Sequence, residues 1–149
     1  MSDEFLSAKR TAEGKARRQR VQGPKSDKLH RFTERLDPIL AEWGESFIFG
    51  EVWARPGLSQ HERQLVTIVS LAASENLLPL RGYLHGALQA GVPASKIHEA
   101  LIHLVVYIGW PATISALLIW QEVVQSARRH GVAIDVEYPS QSLVGEDSD

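Results

Sequence analysis

Apolar residues recur every three or four positions along most of the chain, the spacing of helices that bury one face. Between Ser26 and Trp43 this spacing predicts one amphipathic helix with a kink at Pro38. Its apolar stripe consists of Leu29, Phe32, Leu36, Leu40 and Trp43. No stretch pairs two strand patterns across a hairpin turn, so the sequence predicts an all-α protein.

Further along the chain, helix ends are marked by local signals. Ser59 and Glu62 form an S-x-x-E capping box, which predicts that a helix begins there. Pro79 suits the first turn of the next helix, because that turn does not need its missing N–H. A further helix with one apolar face is expected to end at Gly109, and a last helix is expected from Pro111 to about Arg129. That face carries Ile97, Leu101, Leu104, Val105 and Ile108.

Composition divides the chain into three parts. Residues 1–24 are polar and rich in Arg and Lys, and they predict an N-terminal basic helical extension. Residues 25–131 carry the apolar periodicity and form the expected helical domain. Residues 132–149 end in an acidic tail that is expected to be disordered.

The overall composition excludes several classes of function. The chain has 149 residues, a net charge of −2 and no cysteine, so thiol catalysis, thiolate metal ligands and disulfides are excluded. The first residues lack the apolar stretch of a secretory signal, and we expect a cytoplasmic protein. The apolar window from Leu101 to Trp120 is interrupted by His103 and by Gly109–Pro111, which predicts two buried helices rather than a membrane span.

One helix face carries the most suggestive polar residues. Arg81, His85 and Gln89 are four residues apart and share a face distinct from the apolar one. This face is either solvated or part of a pocket, where an anion would relieve the repulsion between Arg81 and a protonated His85. Glu62 likewise is either a cap or a site residue. The other histidines have no spacing that groups them, so no metal site is expected; those considered are His61, His98, His103 and His130.

Three blocks of sequence carry a family resemblance. They are "GEVWARPGLS" at residues 50–59, "HGALQAGV" at 85–92 and "YIGWPA" at 107–112. Together they resemble the carboxymuconolactone decarboxylase family of the alkylhydroperoxidase-like superfamily, over about Gly14 to Val124. The resemblance implies an alkylhydroperoxidase-like helical bundle that assembles as a homo-oligomer, a trimer or a hexamer.

The resemblance also selects a chemical branch. The peroxidase branch has a C-x-x-C pair shortly before its histidine, but Leu78 and Arg81 occupy those places here. The relay positions that remain are Glu62 and His85, which the resemblance makes the catalytic candidates. The implied reaction is a cofactor-free decarboxylation of a small carboxylated unsaturated lactone, whose own conjugated carbonyl accepts the electrons.

Such a reaction needs cations, apolar walls and an acid of near-neutral pKa. The residues expected to bind the substrate are Arg81, Arg55, Trp53, Tyr107 and Trp110. Arg81 and Gly82 stand where the family usually has an acid and a leucine, and Trp110 is bulkier than usual. These departures lie where a substrate would sit, so an isomerase or a decarboxylase of a different lactone or polyketide-like acid is an alternative.

Two alternatives come from other classes. The chain is a non-catalytic oligomeric binding protein if it keeps the pocket but has lost the reaction. In the second alternative, the basic segment Lys9–Arg20 is an arm that binds nucleic acid. Against this alternative, the segment lacks interleaved aromatic residues and the rest of the chain is acidic. We therefore expect neither a nucleic acid nor a membrane as partner.

Overall fold

The structure, a computed structural model, describes residues 2–137 and confirms the all-α prediction. Its α-helices are α1 (Asp3–Gln22), α2 (Ser26–Leu36), α3 (Pro38–Trp43), α4 (Gln60–Ala73), α5 (Leu77–Gln89), α6 (Ala94–His103), α7 (Val105–Ile108) and α8 (Trp110–Arg129). A 3-10 turn, Gly23–Lys25, joins α1 to α2, and a π-helical segment, Gly44–Val52, follows α3. Residues 138–149 of the expected acidic tail lie outside the described residues.

Helix α5 lies at the centre of the fold and packs against α4, α8 and α1. The fully buried side chains on α4, α5 and α8 include Ile68, Leu80, Leu84 and Trp120. The predicted capping box at the start of α4 is formed in both directions, and Gly109 ends α7 with a φ of 85°. Within residues 2–137, no helix is both long and apolar enough to cross a membrane.

The basic helix α1 is an integral part of the fold. Gly14 lies so close to the π-helical segment that a Cβ atom there would overlap the carbonyl oxygen of Glu45. Arg17 donates to the carbonyl oxygen of Phe49 at 2.5 Å, and Arg10 pairs with Glu51 at 2.6 Å. These intramolecular contacts account for much of the positive charge that the sequence places on this helix.

The expectation of one kinked helix over residues 26–43 is wrong. The chain leaves helical geometry at Asp37, whose carboxylate accepts hydrogen bonds from the backbone N–H groups of Ile39 and Leu40. An aspartate cap followed by Pro38 starts a new helix, since proline has no N–H to continue the old one. The apolar stripe across α2 and α3 faces outward in the single chain, with Leu36 67% and Trp43 58% exposed.

Residues 132–137 fold back against the helices. Asp135 accepts hydrogen bonds from the backbone N–H and the hydroxyl of Ser95, at 2.9 and 2.5 Å, and so caps the start of α6. Arg128 donates to the carbonyl oxygen of Val136 at 2.6 Å. This short segment therefore belongs to the packed structure, although the sequence groups it with the tail.

Candidate active site

His85 is half-buried on α5, and three other basic side chains lie near enough to act on it electrostatically; Lys25, Arg81, His85 and His130 are called the His85 cluster below. Burial lowers the pKa of the His85 ring below its usual 6.5, and electrostatic interaction with Lys25, Arg81 and His130 lowers it further. Its ring makes no hydrogen bond with any residue of the described part of the chain. Because nearby cations lower the pKa of His85, a bound anion would raise this pKa again and favour protonation of the ring.

The cluster is assembled from three distant parts of the sequence. Gly86 lets the end of α1 approach α5 so closely that a Cβ atom there would overlap the carbonyl oxygen of Val21. The turn that follows α1 then brings Lys25 towards His85. From the other side, α8 ends next to α5, and His130 is held by a 2.7 Å hydrogen bond to the carbonyl oxygen of Ser126.

Arg81 is anchored beside His85 by a carboxylate of α8. Its Nη2 lies 2.5 Å from Oε2 of Glu122, and both side chains are about half exposed. The pair leaves other guanidinium N–H groups of Arg81 without a partner in the described part of the chain. The side chain is therefore oriented by Glu122 and keeps donors that can bind a carboxylate.

The carboxylate of Glu62 is part of the cap at the start of α4. Its Oε2 accepts the backbone N–H of Ser59 at 2.7 Å, and the Ser59 hydroxyl accepts the N–H of Glu62 at 3.3 Å. The first of these hydrogen bonds, with a smaller contribution from the hydroxyl, lowers the pKa of the Glu62 carboxyl. Within residues 2–137 no hydrogen bond joins Glu62 to His85.

Trp53 and Arg55 lie at the end of the π-helical segment. The ring of Trp53 is 5.6 Å from that of Phe49 and 6.3 Å from that of Tyr83, which it stacks on. Tyr83 is mostly buried, and burial raises the pKa of its phenol. Arg55 is exposed, and its carbonyl oxygen accepts a 2.6 Å hydrogen bond from the guanidinium of another arginine, Arg63.

Tyr107 and Trp110 lie at the turn between α7 and α8 and are 72% and 71% exposed in the single chain. The Tyr107 ring is 5.2 Å from the ring of His103. His103 in turn lines an apolar groove of about 400 Å³ between α4 and α6, with Leu65 and Leu104. The predicted site residues therefore fall in four places, and Arg81 is the only one of them that the structure groups with His85.

Sequence reasoning missed three groups that the fold places in prominent positions. Lys25 and His130 carry no local motif, because only the packing of distant segments brings them to His85. Gln64 is fully buried on α4, donates to the carbonyl oxygen of Val21 at 3.1 Å, and has an Oε1 with no partner among the described residues. The sequence offers a signal for this residue, because Gln64 is a polar side chain on the buried face of a predicted helix.

The described residues offer no assembled metal site. Nowhere between residues 2 and 137 do three or more His, Asp or Glu side chains come together in a way that could hold a metal ion. The polar groups gathered at His85 are instead mostly cationic, a set that suits a carboxylate or another small anion.

Comparison with known proteins places this helical fold in a class. The sequence model of the carboxymuconolactone decarboxylase family matches residues 38–122, more than half of the chain. The chain therefore belongs to the carboxymuconolactone decarboxylase family. The match includes Arg81, His85 and Glu122, whereas Lys25 and His130 lie outside it.

Two relatives are similar over part of this chain. It is 33% identical over 93 residues to a nitrosuccinic acid decarboxylase of Metarhizium robertsii, 62% of each chain. It is 40% identical over 77 residues to a 4-carboxymuconolactone decarboxylase of Acinetobacter baylyi, 52% of this chain and 58% of the other. The chain thus spans about 60% of the length of these curated relatives.

Proposed function

We propose that the protein is a cofactor-free carboxy-lyase that removes CO2 from a small carboxylated substrate. Family membership supports this reaction class, and the single structural observation that carries it is the half-buried His85 among Lys25, Arg81 and His130. The cluster supplies charge to hold an anion and an imidazole to move a proton.

In this proposal the substrate carboxylate lies between Arg81 and His85. The Arg81 N–H groups that Glu122 leaves free donate to the carboxylate, and Lys25 adds positive charge near His85. The bound negative charge offsets the repulsion that lowers the pKa of His85. The ring then takes up a proton from solvent as the substrate binds.

Decarboxylation follows from this protonated complex. The bond between the carboxyl carbon and the substrate framework breaks, CO2 leaves, and the electron pair moves into the electron-accepting group of the substrate. His85 then gives its proton to the carbon that lost CO2 and returns to the neutral form that the empty site favours. No redox partner is needed, because the electrons stay in the product.

The names of the relatives guide the choice of substrate. One names a carboxylated lactone and the other a nitro acid, and both molecules join a carboxylate to a group that can accept an electron pair. We propose a carboxylated unsaturated lactone for this chain. A nitro acid, a polyketide-like acid, or isomerisation of a related lactone is the alternative.

Glu62 is a candidate for two roles, capping of α4 and proton transfer with His85, which one variant can distinguish. The resemblance suggests that it orients or recharges His85, and its geometry makes it the cap of α4. Glu62→Gln keeps an amide oxygen that can accept the N–H of Ser59 but cannot carry a proton. Near-parental turnover in this variant assigns Glu62 to the cap, whereas a large fall at unchanged stability assigns it to the proton relay.

Four of the expected substrate contacts lie outside the His85 cluster in the single chain. Within residues 2–137, no hydrogen bond or ring contact joins His85 to any of these residues, which are Trp53, Arg55, Tyr107 and Trp110. We propose that the protein is a homo-oligomer in which a neighbouring subunit brings such residues to the cluster. The exposed apolar stripe across α2 and α3 supports an assembly, because monomers rarely expose such a large apolar surface.

The test is CO2 release from carboxylated unsaturated lactones and from nitrosuccinic acid. We expect saturable release with one of them, and we expect Arg81→Met to raise KM by about tenfold or more through loss of a charge-assisted hydrogen bond. Arg35→Gln removes an exposed positive charge from α2 and is the matched control. Binding of these acids without CO2 release would instead identify a non-catalytic binding protein.

A further inference from the structure

A second cleft in the described part of the chain borders the His85 cluster, although none of the four residues of that cluster lines it. It has a volume of about 730 Å³ and opens between the end of α1, the turn Gly23–Lys25, the start of α4 and the end of α5. The side chains at its wall that matter here are Gln19, Arg20, Asp27, Gln60, His61 and Gln89. The proposed reaction does not use this cleft, although Gln89 and Ala90 of its wall belong to the "HGALQAGV" block.

One part of the wall is held in place by the protein itself. Asp27 accepts hydrogen bonds from the buried Arg18 at 3.1 Å and from Gln19 at 3.2 Å, which also lower the pKa of its carboxyl. Nε2 of His61 lies 2.9 Å from the carbonyl oxygen of Ala90. A carbonyl oxygen can only accept, so Nε2 carries the hydrogen and the orientation of the ring is fixed.

The rest of the wall presents polar groups that form no hydrogen bond or ion pair within the described residues. Among residues 2–137, the guanidinium of Arg20 and the amides of Gln60 and Gln89 have no hydrogen-bond or ion-pair partner. The same is true of Nδ1 of His61. Arg18 is shared between Asp27 and Glu45, and Lys15 adds positive charge near Asp27, whereas Arg20 has no ion-pair partner among residues 2–137.

We propose that this cleft binds a small organic anion that also carries hydroxyl groups. Arg20 pairs with the carboxylate or phosphate of the ligand, and the amides of Gln60 and Gln89 bind its hydroxyls as both donors and acceptors. No Phe, Tyr or Trp lines the cleft, so the wall favours a polar ligand over a large apolar one. Lys25, Arg81, His85 and His130 do not line the cleft, so the proposal makes it a second site beside the one at His85.

The experiment compares tartrate with succinate, two dicarboxylates of the same carbon chain that differ only by two hydroxyl groups. Their affinities for the full-length protein are measured by amide chemical-shift titration, with inorganic phosphate as the anion without hydroxyls on carbon. Two additional hydrogen bonds predict that tartrate binds about tenfold more tightly than succinate. The largest shifts should fall on the amides of Gly23, Gln60 and Gln89.

Two variants test separately whether Arg20 binds the anion and whether Gln60 binds the hydroxyl groups. Arg20→Gln should weaken all three anions by about tenfold, whereas Gln60→Ala should reduce the preference for tartrate and leave succinate unchanged. Arg35→Gln is the matched control for loss of an exposed charge. Equal binding of tartrate and succinate, or binding that His85→Gln abolishes and Arg20→Gln leaves intact, would overturn the proposal. Neither result depends on whether the protein is a decarboxylase.

Discussion

Two glycines on α5 should respond in opposite ways to the same substitution. At Gly86 a Cβ atom would overlap the carbonyl oxygen of Val21 and lie 3.0 Å from its carbonyl carbon. At Gly82, one turn earlier, a Cβ atom would meet nothing within 4 Å. Gly82→Ala is therefore a control that makes the same chemical change in the same helix.

The magnitudes follow from helix propensity and from packing. Replacing glycine by alanine inside a helix adds about 1 kcal/mol of stability. We expect this gain at Gly82. At Gly86 the overlap is with backbone, which cannot rotate away, and overpacking of this kind costs about 3 kcal/mol. The net loss there is about 2 kcal/mol, so the two variants should differ by about 3 kcal/mol.

Thermal unfolding at one protein concentration measures this difference. For a chain of this length, 3 kcal/mol corresponds to about 10 °C between the melting temperatures of the two variants. Gly86→Ala should also lower turnover at temperatures where it is folded, because moving Val21 moves Lys25 away from His85. Equal melting temperatures would show that α1 does not pack on α5 as described, and the assembly of the cluster would lose its basis.

Three further predictions concern assembly, pH and metals. Light scattering at micromolar concentration should give a multiple of the chain mass of 16.6 kDa, and a stable monomer would contradict the proposed oligomer. Because the folded state lowers the pKa of His85, the unfolded chain binds this proton more readily. The melting temperature should therefore fall as the pH drops below about 6.5, less steeply in His85→Gln; equal slopes would rule out His85 as the source. Dialysis against a chelator should leave turnover unchanged, and activity that returns only with an added divalent ion would refute a metal-free reaction.

Periodicity and caps were enough to predict the helices that form the core. The capping box at Ser59 and the terminator at Gly109 are local signals, since each depends on hydrogen bonds or backbone angles within a few residues. The end of α2 was missed because a Pro in an apolar stripe fits either a kink or a new helix. The cap by Asp37, which decides between them, depends on its side-chain conformation.

The candidate site was less predictable than the fold. Arg81 and His85 share a helix face, so their spacing alone places them together. Lys25 and His130 come from a turn and a helix end that are distant in sequence. Only the close approach at Gly86 and the packing of α8 bring them to His85. A sequence pattern of short range contains no information about such contacts.

The central claim, that His85 delivers the proton, is tested most directly by kcat of His85→Gln on the substrate that releases CO2. Glutamine keeps a hydrogen-bonding side chain but cannot carry a proton near neutral pH. The account predicts that kcat falls by about 10²- to 10⁴-fold with a smaller change in KM, while Arg35→Gln stays at the parental rate. Turnover of His85→Gln at the parental rate would contradict the account and move the search for the acid first to Tyr107 or His103.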